Sequence, residues 1–289
     1  MQLPDNFLEE ETRNGYTIPA AMKEAWAVQL DLFEELMRVC EKHGLRVFAD
    51  AGTLIGAVRH QGFIPWDDDI DTVMLRPDYD KLMQLADEFK EPYFLQSVLT
   101  DNHYMHRHAQ LRRSDTAAWS PKRGMRREGY NQGIFIDIFV LDIIPNHPRE
   151  LKHHIAAIKS AKLKLKMVSR LINKLPEGMY QWCRNHTRLL SDKYWYERYE
   201  EVMRKPDWND PRALICAETC LNFREPFKRI ACYDDVVWLP FEGTKIPCPV
   251  DYDEVLRVSY GEYMKPVKAP SVHGEIMYDA HHSYKELLK

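Results

Sequence analysis

Residues 52–74 read GTLIGAVRHQGFIPWDDDIDTVM. Asp67, Asp68, Asp69 and Asp71 crowd four carboxylates into five positions. They lie between Phe63, Ile64, Trp66, Ile70 and Val73 rather than in a polar tail. Like charges beside apolar groups repel and resist burial, so the stretch predicts something that offsets the repulsion. If residues 67–71 are extended, side chains alternate, and Asp67, Asp69 and Asp71 share one face. Carboxylates two residues apart on one face suit a common divalent cation, with water and substrate phosphate as its other ligands.

The first half of the stretch complements the second. Gly52-Thr53 opens a predicted helix, where free backbone N–H groups and the helix dipole favour phosphate. Thr53 adds a hydroxyl donor, and Arg59, two turns on, is placed to reach a phosphate oxygen. Gly-Thr before a helix is a weak signal alone. A strand carrying acid-apolar-acid soon after it makes the pattern far more specific.

Upstream, Ala21, Ala25, Val28, Leu32, Leu36 and Val39 recur at helical spacing, which predicts a helix over 19–43 ended by His43-Gly44. RVFADA (46–51) and IDTVML (70–75) read as strands, and a helix starts at Pro77. PYFLQSV (92–98) and AQLRRSDTAAW (109–119) suit further strands. IFIDIFVLDII (134–144) is the most apolar strand and is predicted to be central. Asp137 sits inside it, and an acid in such a strand is rarely left unpaired. A neighbouring strand that set Asp137 opposite Asp69 and Asp71 would complete a two-metal site; Asp142, near the strand's end, is the weaker candidate. Residues 148–205 predict two long helices broken near NKLPEG (173–178), residues 213–250 return to strand and turn signals, and 251–261 form a short helix ended by glycine.

The fold class is therefore α/β (α+β). A mixed sheet flanked by helices occupies residues 1–146, a helical segment 147–212, and a C-terminal α/β segment 213–289 completes the same globular unit. Hydrophobic residues at 45% and charged residues at 29% suit a globular chain rather than a disordered one. A net charge of -4 argues against a general nucleic-acid binder. The N-terminal MQLPDNFLEEETRNGY lacks the basic start and apolar core of a signal peptide, and no apolar run is long enough to span a bilayer. A cytoplasmic protein, at most at the inner face of the membrane, is expected.

The stretch 52–74 closely resembles the signature of the LicD family, which shares the polymerase-β-like nucleotidyltransferase fold. The resemblance continues in FIDIFVLD (135–142), similar to the family's third-carboxylate strand, and in FEGTKIPCPVDYDEVLRVSYGEYMKP (241–266), similar to its C-terminal block. It implies a metal-dependent transfer of phosphocholine from CDP-choline to a hydroxyl of a cell-surface glycan, such as lipopolysaccharide or teichoic acid, or of a lipid-linked precursor. Fukutin-related relatives use CDP-ribitol instead. On this resemblance Asp69 and Asp71 are the paired ligands of magnesium or manganese, Asp137 is the third acid, and Gly52 and Thr53 form the phosphate-binding turn. Arg59 and Arg112 are the candidate substrate-binding cations. Two alternatives stay open: nucleotidyl transfer with attack on an α-phosphate, and a catalytically silent nucleotide-binding module.

Further features carry two readings each. His103, His106 and His108 in TDNHYMHRHAQ resemble a metal set, although a substrate-facing loop with Arg107, Arg112 and Arg113 is preferred. Cys40, Cys183, Cys216, Cys220, Cys232 and Cys248 contain no C-x-x-C pair and read as reduced thiols; zinc at Cys216, Cys220, Cys232 and Cys248 is the alternative. Residues 148–172 make a basic amphipathic helix with Leu151, Ile155, Ile158, Leu165, Val168 and Ile172 on one face. It is either a packed helix with solvated lysines or a peripheral contact to an anionic membrane. Trp66 reads as core or as a base-stacking ring. Trp182, Tyr194, Trp195, Tyr196, Tyr199 and Trp208, like Tyr252, Tyr260, Tyr263 and Tyr278, read as core or as a cage for a choline ammonium. His273, His281 and His282 are candidates to close over the site.

Overall fold

Asn14 and Gly15, both at positive φ, turn the chain between β1 (Glu11–Arg13) and β2 (Tyr16–Ile18). Helix α1 (Ala20–His43) follows Pro19 and stops at Gly44, whose φ of 62° lets its amide reach back to the last turn. Next come β3 (Phe48–Ala49), α2 (Ala51–His60), β4 (Asp71–Leu75), α3 (Arg76–Met83), β5 (Tyr93–Gln96), β6 (Ala109–Arg113), β7 (Ala117–Trp119) and β8 (Ile134–Ile144). Three helices follow, α4 (Pro148–Ile172), α5 (Glu177–His186) and α6 (Asp192–Met203). The chain closes with β9 (Leu214–Ala217), β10 (Lys228–Arg229), β11 (Val236–Phe241), β12 (Thr244–Pro249), α7 (Tyr252–Tyr260), β13 (Met277–Asp279) and α8 (Tyr284–Leu287). These elements come from a computed structural model that describes residues 3–104, 106–120, 130–206, 208, 214–217, 227–267 and 276–287.

The predicted mixed α/β architecture is the one observed. Strand β8 organises a seven-stranded sheet. Its residues 137–141 pair in parallel with β4, while 134–138 pair antiparallel with β6 and 141–144 antiparallel with β9. Because Asp137 and Leu141 each pair on both sides, β6 and β9 lie end to end along one edge of β8 and β4 covers the other. Strand β3 extends the sheet beyond β4, β5 beyond β6, and β10 beyond β9. Pairing on both edges and burial of all but one of its residues explain the unbroken apolar run of β8.

One large core joins α1, the sheet and the C-terminal residues Tyr233, Phe241, Ile246 and Leu256. Helices α4–α6, inserted between β8 and β9, bury smaller clusters: Leu165 against Tyr196, Ile158 against Tyr199 and Met203, and Ile172 against Tyr180. The insertion is tied to the sheet by Arg76, which pairs bidentately with Asp142 at 2.6 and 2.7 Å and with Glu200 of α6 at 2.5 Å. Asp142 thus serves the structure. Among the described residues, no helix is long and apolar enough to cross a membrane.

Three local expectations change. The single strand over 109–119 is two, because Thr116 turns the chain by donating its hydroxyl to the Arg113 carbonyl at 2.7 Å. The helical segment holds three helices rather than two; Ser191 caps α6 by accepting from the Tyr194 amide at 3.1 Å. Strand β4 begins only at Asp71, so residues 67–70 approach the sheet without joining it.

Candidate active site

Backbone contacts hold the acidic stretch in place. The β4–β8 register sets Asp71 opposite Asp137. The Asp137 amide donates to the Ile70 carbonyl at 2.9 Å, and the Thr72 hydroxyl donates to the Asp137 carbonyl at 2.8 Å. Helix α2 clamps Asp71 from the other side: the Asp50 amide donates to its carbonyl at 3.1 Å, and Thr53 Oγ1 accepts its amide at 2.8 Å. Residues 67 and 68 are fixed by side chains instead of by a strand ladder. Trp26 Nε1 donates to the Asp67 carbonyl at 3.2 Å, and both Gln29 Nε2 and the Tyr278 hydroxyl donate to the Asp68 carbonyl at 2.8 Å. This replaces the strict alternation expected from an extended strand, and the carboxylates of Asp67, Asp68 and Asp69 converge. Gly52 admits the arrangement: a Cβ there would lie 2.2 Å from Asp67 Oδ2.

Asp69, Asp71 and Asp137 each offer an oxygen within 4.8 Å of the others. Burial, reinforced by the neighbouring acids, raises the carboxyls of Asp69 and Asp71 well above the ordinary carboxylate range. Burial and the charge of Asp68 push Asp67 up to about 7. Asp137 moves the other way. Burial would raise it, but His108, with Nε2 3.2 Å away, and Gln110, donating Nε2 at 2.6 Å, hold it below its usual value. The cluster therefore contains stored like-charge repulsion that a divalent cation would relieve. Its ligands are hard carboxylate oxygens with no thiolate among them, which suits magnesium or manganese.

The predicted residues divide. Asp69, Asp71, Asp137, Gly52 and Thr53 come together, although Thr53 presents its oxygen to the Asp71 amide and so braces the strand. Arg59 stands apart: it lies about 10 Å along α2 from Gly52 by helical rise and donates Nη1 to the Tyr263 carbonyl at 2.5 Å. Arg112 is buried, and its donors are taken by Gln96, the Gly133 carbonyl at 2.6 Å and Gln110 Oε1 at 2.5 Å. It reaches the acids through Gln110. Two of the three histidines gather: the rings of His106 and His108 lie 5.2 Å apart, and His108 faces Asp137. His103 stands apart, stacked on Tyr180 of α5 and bonded to Glu177 at 2.8 Å.

Trp66 meets Tyr16 edge-on at 6.1 Å and is partly buried against the core. Tyr196 and Tyr199 are core residues, and Trp182 is exposed. His281 pairs with Glu24 at 3.3 Å and His282 with Asp279 at 3.0 Å. Cys40, Cys183, Cys232 and Cys248 are buried free thiols. Cys216 lies in β9, and Cys220 and His273 fall outside the described residues.

Sequence reasoning missed Gln110, Lys228 and the α1 donors. Gln110 and Arg112 occupy alternate positions of a strand, a polar pair on one face and the only signal available. Lys228, buried in β10, approaches Asp50 Oδ1 at 3.2 Å, and Asp50 is the residue whose amide holds Asp71. That pairing spans 178 positions of sequence and leaves no local mark.

Residues 44–153 match the family model described as LicD/FKTN/FKRP, nucleotidyltransferase domain. The lipopolysaccharide cholinephosphotransferase LicD of Haemophilus influenzae is 24% identical over 259 residues, covering 84% of this chain and 91% of that protein. Uncharacterised proteins of Rickettsia prowazekii and Rickettsia typhi are 37% identical over 60 residues, 21% of this chain and 23% and 19% of theirs.

Proposed function

Because this chain belongs to the LicD family, we propose that it is a metal-dependent phosphotransferase acting on a CDP-alcohol. It moves phosphocholine, or a similar alcohol phosphate, to a hydroxyl of a cell-surface glycan or its lipid-linked precursor. The carboxylate cluster of Asp69, Asp71 and Asp137 beside the N-terminus of α2 carries this reading. The similarity to a lipopolysaccharide cholinephosphotransferase, over 84% of this chain, supports phosphocholine and a glycan as the two substrates.

In the reaction, the acceptor oxygen bonds to the distal phosphorus of the CDP-alcohol and the phosphoanhydride bond breaks, releasing CMP. The acceptor hydroxyl loses its proton to a carboxylate of the site, with Asp137 as the candidate because His108 and Gln110 keep it ionised. Asp69 and Asp71 would hold magnesium or manganese, which when bound supplies positive charge to the diphosphate and the departing CMP; Asp137 would either take the proton or hold a second ion. Free N–H groups in the first turn of α2 favour a phosphate there. Trp26, Gln29 and Tyr278 keep the acidic turn in position, so little reorganisation is needed when charge develops. A water-soluble nucleotide donor and a lipid-linked acceptor meet at the inner face of the membrane, where we place the enzyme.

The test is product analysis with purified chain, magnesium and CDP-choline, CDP-ribitol or CDP-glycerol, using a glycan acceptor. CMP release and acceptor labelling that Asp69→Asn abolishes are expected. The matching family description names a nucleotidyltransferase domain, which favours one second reading: attack on an α-phosphate with pyrophosphate leaving. Pyrophosphate release from a nucleoside triphosphate, without CMP release from any CDP-alcohol, would replace the first reading with the second.

A further inference from the structure

Helix α4 carries two apolar stripes, and only one is used inside the protein. Ile158, Ala161, Leu165 and Ile172 face α5 and α6. Leu163, Met167 and Leu171 recur every four residues on the other side, at 58%, 62% and 55% exposure. At 100° per residue the two stripes are centred about 150° apart. An ordinary surface helix is polar on the side away from the core. Exposed Met179 and Trp182 follow on α5.

The residues flanking the exposed stripe are cationic. On the helical wheel, Lys152, Lys159, Lys166 and Arg170 border it on one side and Lys164 on the other. Residues 151–176 contain seven Lys and Arg and no Asp or Glu, in a chain whose net charge is -4. An apolar stripe between rows of lysine is the pattern of a helix that lies in the headgroup region of a bilayer. The apolar side chains enter the acyl boundary and the lysines meet anionic headgroups. A protein partner of ordinary composition would not require the one-signed charge.

We propose that the outer face of α4 docks on an anionic lipid surface. This goes beyond the transfer reaction and stands on different residues. The stripe involved is not the one the sequence pattern suggests, because Ile158, Leu165 and Ile172 are taken up by internal packing.

The test is cosedimentation of the full chain with phosphatidylcholine vesicles, with and without phosphatidylglycerol, at low salt. Binding to the anionic vesicles about tenfold above the neutral ones is expected. Met167→Glu with Leu171→Glu should reduce it about tenfold, and so should Lys166→Glu with Arg170→Glu, which leaves the apolar stripe intact. Thermal melts close to the parent's confirm that both variants fold, since all four side chains are exposed. Absence of binding to anionic vesicles at low salt overturns the proposal, as does binding that neither variant weakens. Self-association abolished by the Met167 and Leu171 substitutions, without vesicle binding, assigns the face to a second copy and also overturns it. Asp69→Asn should bind vesicles normally, so failure of the transfer reaction and failure of docking are read separately.

Discussion

Asp137 stands directly across the parallel β4–β8 pair from Asp71, and both share with Asp69 a set of oxygens within 4.8 Å. Parallel neighbours in register bring side chains of the same face together, so two buried acids in adjacent strands are a built arrangement. Asp71→Asn should lower transfer about 100–1000-fold. In metal-free buffer its melting temperature should equal or exceed the parent's, because one like charge is gone. Magnesium should raise the parent's melting temperature and have little effect on the variant's. An unaltered magnesium response would remove Asp71 from the metal site.

The same acids set a pH dependence. Burial and Asp68 raise Asp67 from an ordinary 3.8 to about 7, and Asp69 and Asp71 move in the same direction. The folded chain then holds these protons more tightly than the unfolded chain. Stability from Asp67 is complete below about 3.8 and is lost as pH rises through about 7, at up to about 1.4 kcal/mol per pH unit. Urea denaturation in chelator should show a loss of stability between acidic and neutral pH that Asp67→Asn reduces. A parent and variant with the same pH profile would contradict this.

Gln110 links Arg112 to Asp137: it accepts from the guanidinium at 2.5 Å and donates to the carboxylate at 2.6 Å. Gln110→Met breaks both bonds inside the core. An unsatisfied buried donor typically costs about 1–3 kcal/mol, measurable by chemical denaturation. Transfer should fall further than Gln110→Glu permits for its effect on Arg112 alone, since glutamate still accepts from Arg112 but repels Asp137. Arg112 therefore influences the site through its neighbour, and its loss should alter kcat more than KM for the nucleotide.

Arg76 is the only cation at 4 Å or closer to Asp142 among the described pairs, and it also holds Glu200. Its removal leaves buried Asp142 without an ion partner among the described pairs, and buried Glu200 with only the exposed Arg204 at 3.0 Å. Arg76→Met should destabilise the chain by about 3–5 kcal/mol. The helical insertion should loosen first, seen as faster amide exchange in α6 than in β8.

Much of this was legible in sequence where the determinants are local. The period of α1, the unbroken apolar run of β8 and the glycine that ends α7 each need only their own residues, and each element lies where expected. That Asp69, Asp71 and Asp137 would come together was legible because acids in apolar surroundings demand a partner. Elsewhere tertiary contacts decided. Residues 67–70 have the alternating pattern of a strand, but the carbonyls of Asp67 and Asp68 take their hydrogen bonds from Trp26, Gln29 and Tyr278, which come from α1 and β13. Arg59 has the charge to bind phosphate, yet its position along α2 delivers it to the Tyr263 carbonyl. Lys228 meets Asp50 only because β10 and α2 converge after folding.

Gly52 offers the sharpest separation of fold from function. It lies in the first turn of α2, where alanine has the higher helix propensity by about 1 kcal/mol. A Cβ at this position would lie 2.2 Å from Asp67 Oδ2 and 3.1 Å from its Cγ, so the carboxylate must swing away. Only a side-chain end is displaced, which leaves the metal-free stability of Gly52→Ala near or above the parent's. The magnesium-dependent rise in melting temperature should nevertheless shrink, because Asp67 converges with Asp68 and Asp69. Asp67→Ala removes the obstructing carboxylate. If the displaced carboxylate is the whole effect, adding Gly52→Ala to that background changes the magnesium response no further. Two independent losses that simply add would show instead that the glycine is needed for contact between the α2 backbone and the phosphate itself.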